Sequence, residues 1–479
     1  MSRLIRAAIP LGVGAAIALC PVPVGLTTQA WLYFAVFTAV ILSLITEPIP
    51  AACGGIIGVV VIALAGLTFT PAQTAAPHFQ APAEAAKWAL AGFANTTIWL
   101  IFGAFVFAMG YEKTGLGRRV ALLLVRRLGG RALGLGYAIA LAELILAPFT
   151  PSNTARSAGT IFPIVRSIPE LYGSRPGESP RRIGAYLMWV AFASTCVTSS
   201  MFVTALAPNL LAIEIIRKAT GIEITWMQWA LGFLPIGLLL LLLLPALVYW
   251  IYPPEVRASA EVPPWAAREL ASMGAVTQRE WMMAALVVAA LVLWIFGGAF
   301  IDPTLVALAA ISLMLVGGVV TWDDVLANKP AWNVLAWFAT LFVLADGLNK
   351  VGFVSWFGGK SAALLAGYPP MVVMVLLVVV FFVVHYMFAS LTAHTTAVLP
   401  VIFAAGMAVP GMPVRTFALL LGFSLGLMGV LTPYATGPAP VYYGCGFISR
   451  QDFWRLGLVF GAIFLAALLL IGVPTLGAK

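Results

Sequence analysis

The chain has 479 residues, of which 62% are hydrophobic and only 9% charged, and its mean hydropathy is +1.03. Water-soluble domains carry about 25% charged residues, so this composition excludes a soluble enzyme, and disorder, collagen and coiled coil fall with it. The net charge of +9 comes from 26 Lys and Arg against 17 Asp and Glu, but the basic residues cluster between apolar runs, which is the orienting pattern of membrane loops rather than a nucleic-acid surface.

A bilayer crossing takes about 20 apolar residues. Arg3 and Arg6 precede an apolar run that ends near Cys20, and Leu19 is too large for the position before a lipoprotein cysteine. This stretch therefore reads as a first membrane helix rather than a cleaved signal. Apolar runs predict spans near 4–22, 30–47, 50–68, 96–112, 183–216, 226–252, 280–300, 303–320, 332–349, 413–446 and 453–475. Two more, 132–166 and 368–408, are interrupted by Thr150–Asn153 and Ser390–Thr396. Irregular backbone at membrane depth requires surrounding protein or a wet cavity, so each is expected to enter and leave by one face. The prolines of 253–278 mark a linker between halves. The expected fold is an all-α polytopic membrane protein, with about 11 transmembrane helices plus two re-entrant hairpins. Cys20, Cys53, Cys196 and Cys445 lie singly, without disulfide or metal spacing, and no cofactor or metal is expected.

With the N-terminus inside, eighteen Lys and Arg fall in inner loops. Seven fall outside (Lys87, Arg217, Lys218, Lys350, Lys360, Arg415, Lys479), and Arg156 lies within the membrane. That bias predicts a cytoplasmic N-terminus and a periplasmic C-terminus in a bacterial inner membrane. The halves also repeat. Lys113-Thr-Gly-Leu returns as Lys350-Val-Gly-Phe, Ser152-Asn-Thr-Ala-Arg156-Ser as Ser390-Leu-Thr-Ala-His394-Thr, and Ser200–Pro208 as Thr432–Pro440, at offsets of 237, 238 and 232. In the expected topology the two hairpins enter from opposite faces, so these are inverted-topology repeats, the signature of secondary transporters with a central site.

The chemistry concentrates at the interruptions. Pro151 suits a first helical position and Thr150 suits its cap, so a half-helix is expected to begin there, with its amides and the Ser152, Asn153 and Thr154 side chains at the tip. Ser390 opens the second tip with Thr392, Thr395 and Thr396. Residues 198–209 and 431–440 place hydroxyls and prolines in mid-membrane, with Thr204 or Asn209 and Thr436 as expected caps. Four half-helix starts at about +0.5 each offer about two positive charges, a crude match to a dianion. Arg156 and His394 hold equivalent repeat positions, and an ionised residue at this depth is a functional candidate. Glu143, seven residues before Thr150, is the candidate partner of Arg156. Gly-Gly-Lys360-Ser361 lacks the first glycine of a phosphate loop, Val354 standing there, and no enzyme motif is present.

Ser152-Asn-Thr-Ala-Arg156 and Thr436-Gly-Pro-Ala-Pro-Val-Tyr-Tyr-Gly444 resemble the divalent anion/sodium symporter family. They are closest to its exchanger branch of 2-oxoglutarate/malate, citrate/succinate and tartrate/succinate carriers. The resemblance implies a homodimer in a lipid bilayer, carrying di- or tricarboxylates without an enzymatic step. It implies scaffold parts at 1–116 and 279–350, with mobile transport parts at 117–252 and 351–479 that move like an elevator. Substrate is expected among Ser152, Asn153, Thr154, Ser390, Leu391, Thr392, Thr204, Thr436 and Gly437. The second tip departs from the family's repeated Ser-Asn-Thr at Leu391. Positive charge from Arg156, and from His394 when protonated, is expected to replace sodium and to favour one-for-one exchange. The alternative is a sodium-coupled dicarboxylate symporter of the same fold.

Overall fold

The computed structural model describes residues 3–69, 71–74, 77–365 and 367–477; Lys479, expected on the outer side, lies outside them. The regular elements among these residues are all helices, and the sole β-bridge among them joins Arg131 to Ala258. Helices long and apolar enough to cross a bilayer are Thr28–Thr46, Ala132–Phe149, Trp226–Ile251, Gln278–Phe296, Lys329–Lys350, Pro370–Met387 and Arg450–Gly477. Thr96–Thr114 joins them as half of a pair bent by 43° from Ala81–Ala94. Leu4–Leu19, Ala51–Leu64, Pro303–Val316, Leu391–Met407 and Val414–Val430 are shorter apolar helices.

Local chemistry sets many of the starts. Asn95 caps Thr96–Thr114 by accepting from the Ile98 amide. Thr225 with Gln228, and Thr277 with Glu280, form reciprocal capping boxes. Asp302 caps a helix whose first residue is Pro303. The expected linker is not extended: Val262–Ser272 forms a helix held to the Leu116–Leu128 helix by Arg118 and Glu269 at 2.6 Å.

Both predicted hairpins double back. Ala132–Leu146 and a short turn lead to the first tip, and Thr154–Ile161 and Phe162–Ser167 return from it. The Glu143–Arg156 ion pair at 2.9 Å bridges the two arms. In the second hairpin, Pro370–Val384 and Leu391–Met407 face each other, with the His385 and His394 rings 5.0 Å apart across the tip. The span expected at 183–216 is split into Gly184–Met201 and Ala207–Thr220, and that at 413–446 into Val414–Leu427, a further turn and Ala439–Gly444.

Every residue of Gly184–Met201 is buried, its serines and threonines included. Trp226–Ile251 instead exposes Leu231, Leu234, Leu238, Leu239, Leu242 and Leu243, the behaviour of a helix with one face to lipid. The broken spans therefore form the centre of the bundle, and a polar site can be built between them without contact with hydrocarbon.

Candidate functional site

Both hairpin tips and both breaks meet at one cavity of about 250 Å³. Pro151, Ser152, Asn153 and Thr154 line it from the first tip, and Ala389, Ser390, Leu391 and Thr392 from the second. Leu206, Ala207 and Pro208 come from the first break, Thr436 and Gly437 from the second. The remaining wall is Phe105, on Thr96–Thr114, with Val334, Trp337 and Phe338 on Lys329–Lys350. Sequence reasoning missed this wall, because an aromatic inside an apolar run has the same pattern whether it faces lipid or a cavity.

The first tip is anchored across the repeat boundary. Asn153 Nδ2 donates to Thr436 Oγ1 at 2.8 Å, with both residues buried. A Cβ at Gly437 would lie 1.8 Å from Thr154 Oγ1, so only glycine allows this approach. Ser157 Oγ and Tyr442 Oη lie 2.9 Å apart, tying the returning arm to Ala439–Gly444. Sequence reasoning missed this role of Tyr442, although the residue stands inside the Thr436–Gly444 string. The returning arm starts as a π-helix over Thr154–Ile161, a widened turn that recurs at functional sites.

Capping differs from expectation. Thr150 Oγ1 donates back to the Leu146 carbonyl at 3.1 Å, and Ser152 Oγ accepts from the Ala155 amide instead. Ser390 Oγ accepts from the Ala393 amide at the second tip. Thr395 and Thr396 bond back to the carbonyls of Leu391 and Thr392, so their hydroxyls do not serve the tip. Thr204 neither caps nor lines the cavity: it donates to the Pro148 carbonyl at 2.6 Å and accepts from the Trp226 indole at 3.1 Å. Asn209 Nδ2 bridges the first break to the carbonyls of Ser199 and Phe202. Thr436 accepts from Asn153 rather than capping Ala439–Gly444.

The electrostatics change accordingly. The Ala207 amide donates to the Pro151 carbonyl, Pro208 has no N–H, and the Asn209 amide donates to Leu206. The first break thus has little free donor capacity, and Ala439–Gly444 is only six residues long. The two hairpin tips remain as electropositive ends, about +1 together rather than the +2 expected from four.

Arg156 is not an uncompensated cation. Its Nε donates to Glu143 Oε2 at 2.9 Å, and both side chains are fully buried. One terminal nitrogen donates to the carbonyls of Thr150 and Ala205, each at 3.0 Å, and the other reaches the hydroxyls of Thr195, Thr198 and Ser199. The guanidinium thus joins the first tip to the first break. In the second repeat, His385 Nε2 lies 2.8 Å from the Ala435 carbonyl, two residues before Gly437, the repeat mate of Ala205. His394 is fully buried beside Phe381, His385 and Phe388, and neither ring nitrogen has a hydrogen-bond partner among the described residues. Among the described residues no carboxylate or carbonyl bonds to it, and an unpaired buried charge is costly. The charge expected of His394 when protonated would have no hydrogen-bond partner among the described residues.

Comparisons place this arrangement. The chain is 51% identical over 467 residues to L-tartrate/succinate antiporters of Shigella sonnei and of Escherichia coli K12, covering 97% of this chain and 96% of each relative. A crystal structure of the Alcanivorax borkumensis YdaH transporter superimposes with a TM-score of 0.60, covering 95% of this chain and 99% of that one at 16% identity, which marks a shared fold. The model of the sodium:sulfate symporter transmembrane region matches residues 1–476, and the chain accordingly belongs to that family, the divalent anion/sodium symporters.

Proposed function

We propose that this protein is a secondary transporter that exchanges dicarboxylates of the tartrate and succinate class, holding them between the two hairpin tips. The observation that carries this reading is the convergence of both tips and both breaks on one cavity. Drug-sized ligands occupy about 300–1,000 Å³, so a cavity of about 250 Å³ suits a small metabolite. Two half-helix starts, with the Ser152, Thr154, Ser390, Thr392 and Thr436 hydroxyls, offer donors to two carboxylates. The names of the 51% identical relatives supply the cargo class.

The hairpins and broken spans (117–252 and 351–479) carry the cargo past the fixed wall of 1–116 and 279–350, in a homodimer with a cytoplasmic N-terminus. Coupling to sodium is absent. Half-helix carbonyls are what such transporters present to sodium, and here the Arg156 guanidinium already occupies the Thr150 and Ala205 carbonyls. Return of an empty carrier is slow because the tip amides and hydroxyls then cross without the carboxylates they bond, and an unpaired polar group away from water is costly.

Counterflow in proteoliposomes tests the reading. Vesicles preloaded with succinate should take up labelled L-tartrate, malate or succinate in potassium or choline buffer. Uptake that requires a sodium gradient and needs no internal diacid would refute exchange in favour of symport.

A further inference from the structure

We propose that Glu214 and Lys218, one turn apart on Ala207–Thr220, form a clasp to the fixed wall that closes the outer vestibule and must open in every transport cycle. This rests on the reading above that the broken spans move against that wall.

The bonds run between the two bodies. Glu214 is 2% exposed, and its carboxylate accepts from Asn95 Nδ2 at 2.8 Å and Thr97 Oγ1 at 3.3 Å, at the start of Thr96–Thr114. Lys218 Nζ lies 3.0 Å from Asp346 Oδ1 and 3.4 Å from the centre of the Phe342 ring, both on Lys329–Lys350. Two further pairs stay within one helix: Arg217 with Glu214 at 2.7 Å, and Lys350 with Asp346 at 2.8 Å. They hold the carboxylates without crossing the seam.

Under the clasp lies a cavity of about 320 Å³, lined by Leu211, Ile215, Phe342, Asn349, Thr396 and Pro400. The same three helices line the site cavity about one turn deeper, through Pro208, Phe338 and Thr392. The clasped cavity is therefore a vestibule to the site. Its repeat mate lies at the other face. There Glu112 and Pro163, which correspond to Asn349 and Pro400 at the offset of 237, line a cavity of about 700 Å³ between Thr96–Thr114 and the first hairpin. Around that second cavity Lys113–Asp324 stays within the wall, whereas Arg118–Glu269 and Arg119–Glu280, each at 2.6 Å, join the Leu116–Leu128 helix of the mobile part to the linker helix and to the wall. The clasped vestibule measures about 320 Å³ and its mate about 700 Å³, as a carrier open to one side requires.

Accessibility of a cysteine reads the clasp directly. With Cys20, Cys53, Cys196 and Cys445 replaced by alanine, Leu211→Cys puts a thiol in the clasped cavity, and a membrane-impermeant maleimide is applied to right-side-out vesicles. Lys218→Met should speed labelling about five-fold, the scale of one partly exposed ion pair, and Asp346→Asn should match it. Lys350→Met leaves the crossing bond intact and should label like the parent. Unchanged labelling in Lys218→Met and Asp346→Asn, or equal acceleration by Lys350→Met, would overturn the clasp. Exchange of tartrate for succinate is measured on the same vesicles. A parent that exchanges nothing defeats the cargo reading, whereas the labelling rates decide the clasp by themselves.

Discussion

Arg156→Ala separates a positional role for the guanidinium from an incidental one. The change removes a side chain bonded to Glu143, to two main-chain carbonyls and to three hydroxyls. It leaves Glu143, fully buried, as an unpaired carboxylate. Removing one member of a buried pair costs about 3–5 kcal/mol. At about 1.4 kcal/mol per decade, that depletes the competent arrangement of the first tip by a hundredfold or more. The groups left behind are all oxygens: a carboxylate, the Thr150 and Ala205 carbonyls, and the Thr195, Thr198 and Ser199 hydroxyls. Oxygen sets of this type at unwound half-helices coordinate sodium.

Two outcomes follow for Arg156→Ala in proteoliposomes. Exchange in choline or potassium buffer should fall by about a hundredfold or more, and sodium buffer should restore part of it, while the parent stays indifferent to sodium. Arg156→Ala with Glu143→Ala should lose the sodium response, because the charge that attracts the cation is gone. Parent-like exchange by Arg156→Ala in sodium-free buffer would refute the reasoning, since the first tip would then not need its tie to the first break.

Thr436→Val deletes the acceptor for Asn153 and keeps the volume. A buried hydrogen bond with an unsatisfied partner left behind is worth about 1–3 kcal/mol, so the KM for tartrate should rise about ten-fold, read from initial exchange rates across substrate concentration. Gly437→Ala drives a methyl into Thr154 Oγ1 and should abolish exchange while size-exclusion profiles stay monodisperse; a parent-like KM would mean the first tip tolerates displacement. Asp324, in a short loop helix, has its carboxyl held down to about 2 by the Lys113 ammonium and then by the Thr321 amide and hydroxyl. Its folded value lies below the ordinary 3.8, so its contribution is present above that pH and is lost as pH falls through about 2. The Tm difference between parent and Asp324→Asn should be flat above pH 3.8 and shrink below it.

What sequence revealed, and what it hid, divides by the range of the interaction. The hairpins were legible because Thr150–Asn153 and Ser390–Thr396 put polar, turn-forming residues where a simple span needs apolar ones. The Glu143–Arg156 pair was legible because a charge seven residues before the tip and another six after it face each other once the chain folds back. Cap assignments failed at Thr150 and Thr204, since a hydroxyl in a helix has two local options. It can cap a following amide or return to a preceding carbonyl, and only the tertiary surroundings choose. Asn153 with Thr436 and Ser157 with Tyr442 join residues more than 280 apart, so no local pattern announces them.

The repeat symmetry that located the site also overstated its likeness, and Leu391 explains where the halves part. At the first tip, Asn153 reaches across to Thr436 in the opposite repeat's break. Strict symmetry requires residue 391 to reach Thr204 in the same way, but a leucine has no donor or acceptor to do so. Thr204 instead turns to the Pro148 carbonyl and the Trp226 indole, and moves behind the first hairpin rather than into the cavity. The first tip is then held by Asn153, by the Ala207 amide on Pro151 and by Arg156. The second tip has its Ser390 cap, the His385 contact with Ala435 and the Tyr434 hydroxyl donating to the Tyr386 carbonyl. The differences between the two motifs, Leu391 for Asn153 and His394 for Arg156, therefore brace one half of the site and leave the other with fewer ties, an asymmetry that the shared residues of the motif do not convey.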